Sequence, residues 1–394
     1  MQTSFDAIVL GLGAMGSATL YQLARRGVRA LGIDRFSPPH ALGSSHGDTR
    51  ITRLAIGEGE EYTPLALRSH EIWRGIERET GRDLLTTTGG LVVSSAGPRA
   101  TCHVPGFFAN TLAAAKRHGI RHELLDARDI RRRFPQFAVS GDEVGYYEHE
   151  AGFLRPEACI AAQLDLAGRG GAVVRRDEKV LGFEESRGHV RVVSERGEYR
   201  ASRLVVTAGP WLPGLLGTTW AGRFTVRRQV LYWFREKGPV ADFAPGRFPV
   251  FIWELAGQAQ PSYGFPAIDG PGGGVKIATE QHEAATTPEA VAREVAPEEI
   301  RAMYEEKVAP CFPGLSGECA RAVACLYTMT ADCRFVIEPH PQMPSVIVAS
   351  PCSGHGFKHS AALGEALAQV VADGRSRIDL PVSGWKPSGR ESPA

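Results

Sequence analysis

The amino-acid sequence predicts an α/β protein with a second, strand-rich domain built onto the first. Residues 7–33 run strand, glycine turn, helix and strand, and the α/β pattern returns at 155–207. Strands and turns predominate instead between about 217 and 320. The 394 residues are also roughly two to three times the usual size of one domain. These observations predict two domains that share one interrupted chain.

Each element is assigned from the spacing of its apolar residues and from the turn residues that flank it. The predicted helices cover residues 17–26, 62–80, 107–118, 126–133, 155–168 and 358–373. The predicted strands cover residues 7–10, 28–33, 86–93, 172–174, 203–207, 229–234 and 345–349. A Pro/Gly-rich passage at 37–47 is long for a connection, and long loops in compact domains are often functional.

The change of pattern along the chain predicts that the two domains alternate in sequence. The expected division is 1–85, 150–216 and 321–385 for the first domain, 86–149 and 217–320 for the second, and 386–394 for a C-terminal tail. The second domain would then consist of two insertions into the first.

Composition and charge exclude several classes of protein. Hydrophobic residues at 43% and charged residues at 23% are ordinary globular values. With 45 basic and 44 acidic residues, no overall field favours nucleic acid or an anionic membrane as a partner. From the apolar pattern we expect no secretory leader, membrane span or Ser-Lys-Leu address, and the seven cysteines form no Cys-x-x-Cys pair. We therefore expect free thiols, a cytoplasmic location and no metal site.

A glycine motif carries the first chemical prediction. Gly11-x-Gly13-x-x-Gly16 follows a strand and opens a helix, so its glycines allow the turn, the approach of a pyrophosphate and close helix packing. Asp34 ends the second strand, where a carboxylate can accept hydrogen bonds from ribose hydroxyl groups. The motif predicts a Rossmann-like domain that binds an adenine dinucleotide, and it does not choose between FAD and NAD.

Three further patterns are weaker. Residues 43–47 match the Gly-x-Ser-x-Gly pattern of a hydrolase, but they follow two prolines rather than a buried strand, which argues against hydrolysis. Arg50 and Arg53 could clamp a carboxylate, although two surface arginines would look the same in sequence. Small residues at 350–357 precede a helix, whose N-terminus would favour negative charge on a reduced flavin or would simply be capped.

With these pieces in order, the chain resembles the monomeric sarcosine oxidase and N-methyl-L-tryptophan oxidase family of D-amino-acid-oxidase-like flavoenzymes. The most specific stretches are 46–53 (HGDTRITR), 57–69 (GEGEEYTPLALRS), 325–330 (CLYTMT) and 353–358 (SGHGFK). The resemblance spans nearly the whole chain. It implies an FAD-binding Rossmann-like domain of the glutathione-reductase type and a second α+β substrate domain with an antiparallel sheet.

The resemblance also implies how FAD is held. In that family the cysteine of a Cys-x-Tyr-Thr segment forms a thioether with the flavin 8α-methyl group, so Cys325 is implied as an 8α-S-cysteinyl attachment point; alone, it would be a buried core thiol. The implied cofactor-binding residues are Gly11, Gly13, Ala14, Met15, Gly16, Asp34, Arg35, Ser44, His46, Thr49, Arg50, Val180, Ala208, Gly209, Trp211, Cys325, Gly354, His355, Gly356, Phe357 and Lys358.

Roles in substrate binding and catalysis follow from the same resemblance. Arg53 and Lys358 are implied to hold a substrate carboxylate, and Lys276 to promote the reaction with O2. The implied substrate-binding residues are Arg53, Lys358, Tyr263 and Tyr327. The implied catalytic residues are Lys276, Arg50, Tyr327 and His355.

Two positions depart from the family pattern. The sarcosine enzyme has a histidine four residues after the lysine, where this chain has Glu280, with His282 two residues later. Cys352 stands near the flavin loop, where the family can carry an aromatic residue, and this leaves room for a larger amine. The resemblance therefore leaves the substrate open.

The implied function is an FAD-dependent oxidase of a secondary amino acid, sarcosine or another N-methyl amino acid. Hydride would pass from the carbon next to nitrogen to flavin N5, the imine would hydrolyse to an aldehyde and a primary amine, and O2 would be reduced to H2O2. The protein is expected to be a monomer whose partners are a small amine or amino acid and O2. The alternatives are a larger or cyclic substrate such as pipecolate, a flavin amine dehydrogenase with a non-oxygen acceptor, and a non-catalytic dinucleotide-binding redox sensor.

Overall fold

The computed structural model of the protein describes residues 3–95, 104–217, 220, 222–258, 260–280 and 284–380. Cys102, His282 and the predicted tail at 386–394 lie outside these ranges. The helices are α1 (Ala14–Arg25), α2 (Thr63–Thr80), α3 (Phe107–Arg117), α4 (Ala127–Arg133), α5 (Pro156–Arg169), α6 (Leu212–Leu216), α7 (Pro297–Met303) and α8 (Ser360–Asp373). The strands are β1 (Ser4–Leu10), β2 (Ala30–Ile33), β3 (Arg50–Thr52), β4 (Leu85–Thr87), β5 (Gly90–Ser94), β6 (His122–Asp126), β7 (Val144–Glu148), β8 (Gly152–Leu154), β9 (Val173–Arg175), β10 (Val180–Ser186), β11 (His189–Ser194), β12 (Gly197–Val206), β13 (Thr225–Glu236), β14 (Val250–Glu254), β15 (Ser262–Phe265), β16 (Val275–Thr279), β17 (Ala285–Thr286), β18 (Leu315–Met329), β19 (Val336–His340) and β20 (Met343–Ser350).

The first sheet has eight strands and a parallel centre. Its order is β10-β11-β12-β1-β2-β9, with β20 beside β12 and β19 beside β20. Leu10 at the end of β1 is level with Val206 on one side and Ile33 on the other. The carboxyl ends of three parallel strands therefore meet at one edge of the sheet, where ligands bind in folds of this class. Helices α1, α5 and α8 pack together on this sheet.

The second sheet has nine strands and is mostly antiparallel, with the order β17-β13-β16-β15-β14-β5-β7-β6 and β18 beside β13. Its core is aromatic, with Phe137, Phe248, Phe251 and Phe312 packed against one another. The predicted mixed α/β class with a second, antiparallel sheet is confirmed. The expected domain boundary at 320/321 falls inside β18, so a boundary after that strand leaves both sheets whole; the division itself stays a prediction.

The small third sheet, β3-β8-β4, corrects one prediction. Residues 86–93 were expected to form one strand, but they divide into β4 and β5, which belong to different sheets. Gly89 breaks the run at φ +73°, and a Cβ atom there would lie 2.0 Å from the Tyr147 hydroxyl oxygen. The hairpin β10–β11 and helix α7 were missed as well; α7 is only seven residues long, and β10 shows no regular alternation of buried residues. Helix α2, by contrast, begins one residue from its predicted start.

The contact between α1 and α8 depends on a glycine. A Cβ atom on Gly364 would lie 2.4 Å from the Ala18 Cβ atom and 2.8 Å from the Thr19 nitrogen. Alanine is favoured over glycine inside a helix by about 1 kcal/mol, but overpacking costs about 1–3 kcal/mol. Two of the three nearest atoms are backbone atoms that cannot move aside, so we expect a cost at the upper end of this range. Gly364→Ala should then lower the free energy of unfolding by about 1–2 kcal/mol net, measured by denaturant unfolding. The control Gly168→Ala, which meets nothing within 4 Å, should be neutral or stabilising; a loss of equal size would contradict the packing argument.

Among the described residues, no helix has both the length and the apolar character that crossing a membrane requires.

Candidate active site

A cavity of about 820 Å³ opens at the carboxyl ends of β1 and β2, and residues of both large sheets line it. On the first side lie Gly11 and Asp34, which directly follow those two strands. On the other side lie Thr225 from β13 and Tyr327 from β18. The cavity therefore lies where the sequence motif predicts a dinucleotide site.

The three motif glycines serve different purposes. Gly11 has φ +89°, and a Cβ atom on Gly16 would lie 1.7 Å from the Gly11 oxygen. The backbone of the turn therefore requires glycine at both positions, with or without a ligand. Gly13 precedes α1 and lines the cavity, yet a Cβ atom there would meet only the Ser45 hydroxyl at 3.7 Å. The missing side chain at Gly13 keeps the N-terminus of α1 open toward the cavity. This cradle fits the pyrophosphate of a dinucleotide, which helix N-terminal amide groups bind.

Asp34 has a defined orientation at the end of β2. Its carboxylate accepts hydrogen bonds from the backbone nitrogens of Leu12 at 2.7 Å and Phe36 at 2.8 Å. Burial raises its pKa, although these hydrogen bonds oppose the shift. Next to it, the Arg35 guanidinium lies 5.3 Å from the centre of the Trp211 ring. Because all of Asp34, Arg35 and Trp211 line the cavity, this end suits a ribose and a base.

The structure brings most of the predicted cofactor residues together. Those that line the cavity are Gly11, Gly13, Ala14, Met15, Asp34, Arg35, Ser44, Arg50, Val180, Ala208, Gly209, Trp211, Gly354, Gly356 and Phe357. Those that lie outside its lining are Gly16, His46, Thr49, Cys325, His355 and Lys358. Gly16 packs against the turn, and the Cys325 sulfur and the Thr49 oxygen contact the lining residue Arg50 from behind.

Sequence reasoning missed several parts of the lining, of which two carry polar contacts. The Thr207 hydroxyl donates to the Gly11 oxygen at 2.7 Å, and its position directly after β12 could have identified it. Residues 286–289 also line the cavity, and the Glu289 carboxylate accepts a hydrogen bond from the Trp211 indole nitrogen at 3.1 Å. No local signal marks this segment, because the pairing of β17 with β13 brings it there.

Lys276 is the second residue of β16, and 2% of its surface is exposed. Its ammonium group donates to the Gly47 oxygen at 2.8 Å, the Thr49 oxygen at 2.8 Å and the Thr49 hydroxyl at 3.0 Å. It also lies 4.3 Å from the centre of the Phe265 ring. Burial, and secondly the Arg50 charge, hold the pKa of Lys276 well below its usual range. Burial of His46, together with the charges of Arg50 and Lys276, lowers the pKa of His46 to about 3, so its imidazole is neutral.

Arg50 joins the loop before β3 to the second sheet. Its guanidinium donates to the Ser44 oxygen at 2.7 Å and the Thr49 oxygen at 2.8 Å, and one nitrogen lies 3.6 Å from the Cys325 sulfur. Cys325 itself is 1% exposed. This sulfur therefore lies directly behind two cavity-lining residues, Arg50 and Ser44.

Two tyrosines lie beside these groups. The hydroxyl groups of Tyr263 and Tyr327 are 3.3 Å apart. Burial raises the pKa of Tyr263 to about 12 and raises the pKa of Tyr327 well above its usual value. Both phenols are therefore neutral hydrogen-bonding groups at physiological pH.

Arg53 and Lys358 meet at a carboxylate of the chain itself. The Lys358 ammonium lies 3.0 Å from one oxygen of Glu58, and the Arg53 guanidinium pairs with the other oxygen. All three side chains are almost fully buried, and burial lowers the pKa of Lys358. The predicted cation pair is thus assembled, but Glu58 was not assigned a role from the sequence. The signal for it was its place in the specific stretch 57–69.

His355 belongs to this cluster rather than to the cavity wall. Its Nδ1 lies 3.9 Å from the same Glu58 oxygen, and its ring stacks on Phe335 with centres 4.6 Å apart. Its Nε2 lies 3.1 Å from the Cys333 oxygen. In the described part of the chain, no group of three or more His, Cys, Asp or Glu residues could hold a metal ion.

A glycine cradle, a buried carboxylate and a cavity shared by two sheets define a dinucleotide-binding protein. The chain belongs to the FAD dependent oxidoreductase family, whose model matches residues 6–370. It is 43% identical to monomeric sarcosine oxidase of Streptomyces avermitilis over 375 residues, 95% of each chain. It is 33% identical to N-methyl-L-tryptophan oxidase of Yersinia pestis over 383 residues, 95% of this chain and 97% of the relative.

Solved structures share the fold. NikD, described as an unusual amino acid oxidase essential for nikkomycin biosynthesis, matches with a TM-score of 0.81 at 22% identity over 100% of both chains. Glycine oxidase from Geobacillus kaustophilus matches with a TM-score of 0.75 at 17% identity, covering 96% of this chain and 98% of that one. The predicted family, the Rossmann-like domain with its additional sheet domain, and the cofactor FAD are confirmed. The protein is an FAD-dependent oxidoreductase.

Proposed function

We propose that this oxidoreductase oxidises an N-methyl or other secondary amino acid and uses O2 as the electron acceptor. The observation that carries the proposal is the buried cluster of Arg53, Lys358 and Glu58. Two cations face one carboxylate, so these three groups hold one positive charge in excess. The names of the relatives, sarcosine oxidase and N-methyl-L-tryptophan oxidase, support the same substrate class.

The chain's own residues would position such a substrate. A guanidinium and an ammonium in a buried site bind a carboxylate strongly, and a substrate carboxylate would share or replace the contacts of Glu58. The neutral phenols of Tyr263 and Tyr327 would form the polar part of the pocket wall. Fixing the substrate in this way makes the reaction effectively intramolecular. FAD, when bound, supplies the chemistry: it accepts a hydride equivalent from the carbon next to nitrogen and passes the electrons to O2.

Lys276 would serve the oxygen reaction. A buried ammonium is an electrostatic partner for negative charge that develops on oxygen during its reduction to H2O2. Its three carbonyl and hydroxyl acceptors all come from residues 47 and 49, so its position is defined before oxygen arrives. This role, like those of Arg53 and Lys358, is part of the proposal.

We also propose that Cys325 holds FAD as an 8α-S-cysteinyl group. The buried sulfur lies 3.6 Å from the Arg50 guanidinium, immediately behind the cavity wall. Forming the C–S bond removes one hydrogen from the thiol and one from the 8α-methyl group. The two electrons pass finally to O2, the oxidant of the proposed activity.

Two broader proposals complete the assignment. We propose a cytoplasmic location, which the six free thiols among the described residues support. We propose a monomer, in line with the relatives named monomeric sarcosine oxidase. Light scattering should then give a mass near 42.5 kDa, and twice that value would contradict the monomer.

The substrate class is tested by mixing the enzyme with N-methyl, cyclic and primary amino acids without oxygen and following the flavin absorbance near about 450 nm. We expect N-methyl or cyclic amino acids to bleach it, and admitted O2 to yield one H2O2 per turnover. No bleaching by any amine would contradict the enzyme assignment, and bleaching without peroxide would indicate a dehydrogenase.

The carboxylate clamp is tested with Lys358→Met. Removing one buried cation should raise the half-saturating concentration of the amino acid about tenfold or more, since one charge-assisted hydrogen bond is worth about 1.5–3 kcal/mol. An analogue of the same amine without its carboxylate should bind equally weakly to both enzymes. If the original enzyme turned over that analogue as well as the amino acid, the clamp would be wrong.

A further inference from the structure

The position of Lys276 depends on an unusual turn. Gly47 and Asp48 both have left-handed backbone angles, φ +94° and +68°, and the Thr49 nitrogen donates to the Gly47 oxygen at 2.8 Å. A non-glycine residue in this region, such as Asp48, persists where surrounding structure holds it. All three acceptors of the Lys276 ammonium come from this turn. Whatever holds the turn therefore also places the ammonium.

Glu157 holds the turn from another element. It lies in the first turn of α5, and one of its oxygens accepts hydrogen bonds from the Gly47 nitrogen at 2.7 Å and the Asp48 nitrogen at 3.3 Å. The Asp48 nitrogen and the Gly47 oxygen belong to the same peptide group. That group is planar and trans, so its N–H and C=O point in opposite directions. One peptide therefore connects the Glu157 carboxylate at its N–H to the Lys276 ammonium at its C=O.

We propose that Glu157 is a positioning residue for the oxygen reaction: through the Gly47–Asp48 peptide it fixes the carbonyl that holds the Lys276 ammonium. The inference rests on the proposed role of Lys276. Without the carboxylate, the peptide could rotate, and its oxygen would leave the ammonium. Asp48 pairs with Arg321 at the partly exposed side of the turn, but this contact is to the side chain and leaves the peptide plane free.

The negative charge of Glu157 also favours the ammonium form of Lys276. Burial and the Arg50 guanidinium disfavour a charged Lys276, whereas the Glu157 carboxylate, from α5, favours it. Cys325, from β18, carries no charge in the proposed thioether and so adds nothing in the holoenzyme. His46 is neutral because of its low pKa and adds no charge. If reoxidation needs the ammonium form, its rate falls as pH rises through the pKa of Lys276. Loss of the Glu157 charge should therefore move that fall to lower pH.

Two variants separate the geometric effect from the effect of charge. Glu157→Gln keeps an acceptor oxygen but loses the charge, so we expect near-normal reoxidation at low pH and a pH profile shifted downward. Glu157→Ala loses both, so we expect reoxidation to slow about tenfold or more even at low pH, while substrate reduces the flavin within about twofold of the normal rate. The control is Asp165→Asn, which removes a carboxylate from the outer side of α5, where it pairs with Arg82. All are measured by stopped-flow with the holoenzyme.

A second readout does not depend on activity. Hydrogen exchange of the peptide that contains residues 47–49 should become about tenfold faster in Glu157→Ala, because two amide groups lose their acceptor. Unchanged exchange there would overturn the proposal. So would equal slowing of reduction and reoxidation, or faster exchange along all of α5, since either would mean that Glu157 only stabilises the fold.

Lys276→Met in the same assay separates this inference from the proposed function. Slow reoxidation in Lys276→Met beside normal reoxidation in Glu157→Ala would overturn only the role of Glu157. Normal reoxidation in Lys276→Met would contradict the function proposed for the lysine, and with it the inference.

Discussion

A Cys325→Ala variant is expected to release all of its flavin when the protein is precipitated with acid, whereas the original protein keeps its yellow colour. The reason is chemical: only a covalent bond survives denaturation, and the variant lacks the sulfur that would form it. The variant should still fold and bind FAD, because the glycine cradle and Asp34 are intact. Absorbance of pellet and supernatant, with the mass of the intact protein, provides the measurement.

The matched control is Cys352→Ala. Cys352 is a thiol that lines the cavity, whereas Cys325 lies one layer behind Ser44 and Arg50. Position alone would therefore allow the flavin to be attached to Cys352 instead. We expect Cys352→Ala to keep its acid-stable colour. Loss of the colour in Cys352→Ala and not in Cys325→Ala would move the attachment point, and colourless pellets from the original protein would contradict covalent attachment altogether.

The nucleotide half of the site could be predicted because its signals are local. A strand, a glycine turn and a helix lie next to one another in the sequence. The structural context of Gly11, Gly13 and Gly16 can therefore be predicted from a single sequence. The helix at 63–80 was predicted for the same reason, since its buried residues recur with helical spacing. At Gly89 a single backbone angle ends one strand before the next begins. The apolar pattern does not show this angle, so the sequence predicted one strand where there are two.

The cationic half could not be predicted from local signals. Arg53 was proposed as half of a clamp with Arg50, yet the structure pairs it with Glu58. Lys358, which is 300 residues from Glu58 in the sequence, contacts the same carboxylate. Glu157 is 110 residues from Gly47. Such contacts exist only because the first sheet, its helices and the insertions fold together, so periodicity cannot reveal them. Resemblance to a family implied roles for Lys358 and Lys276, but it did not point to the carboxylates that contact Lys358 or that reach Lys276 through a peptide group.

The carboxylates of Glu58 and Glu157 explain how the protein can bury several basic side chains. A chain with a formal charge of +1 buries Arg53, Lys276 and Lys358, and it places Arg50 in the wall of the cavity. Buried charges are stable only where they are paired or hydrogen-bonded. Glu58 satisfies two of these cations directly, and Glu157 supports a third through a peptide group. With these partners the folded protein can bury the cations that we propose act on the substrate carboxylate and on oxygen.

Lys276→Met should show the largest kinetic effect in the molecule. Methionine is similar in length but carries no charge, and loss of one electrostatic partner of developing charge costs about 100-fold to 1000-fold in rate. We expect reoxidation by O2 to slow by that factor, while anaerobic reduction by substrate stays within a few-fold. Rapid mixing of the reduced enzyme with oxygenated buffer measures the first rate, and mixing without oxygen measures the second.

The control is a second buried lysine of the described structure, which lies in the same predicted domain as Lys276. Lys307 is 8% exposed, burial lowers its pKa, and it donates to the Gln258 side chain at 2.8 Å, away from the cavity lining. Lys307→Met should reoxidise at the normal rate even if the variant is less stable. Equal slowing in both variants would mean that losing any buried lysine loosens the second sheet, and the electrostatic role of Lys276 would be wrong.

The pH dependence of reoxidation tests whether the charged form of Lys276 is the one that acts. Because the folded protein holds the pKa of Lys276 below its usual value, the ammonium form is present at low pH and is lost as pH rises through that lowered pKa. Reoxidation of the original enzyme should therefore fall with rising pH, whereas Lys276→Met should be slow at every pH, with no such step. A step that survives in Lys276→Met would belong to another group. Its disappearance would tie the charge of this one side chain to the step in which oxygen is reduced.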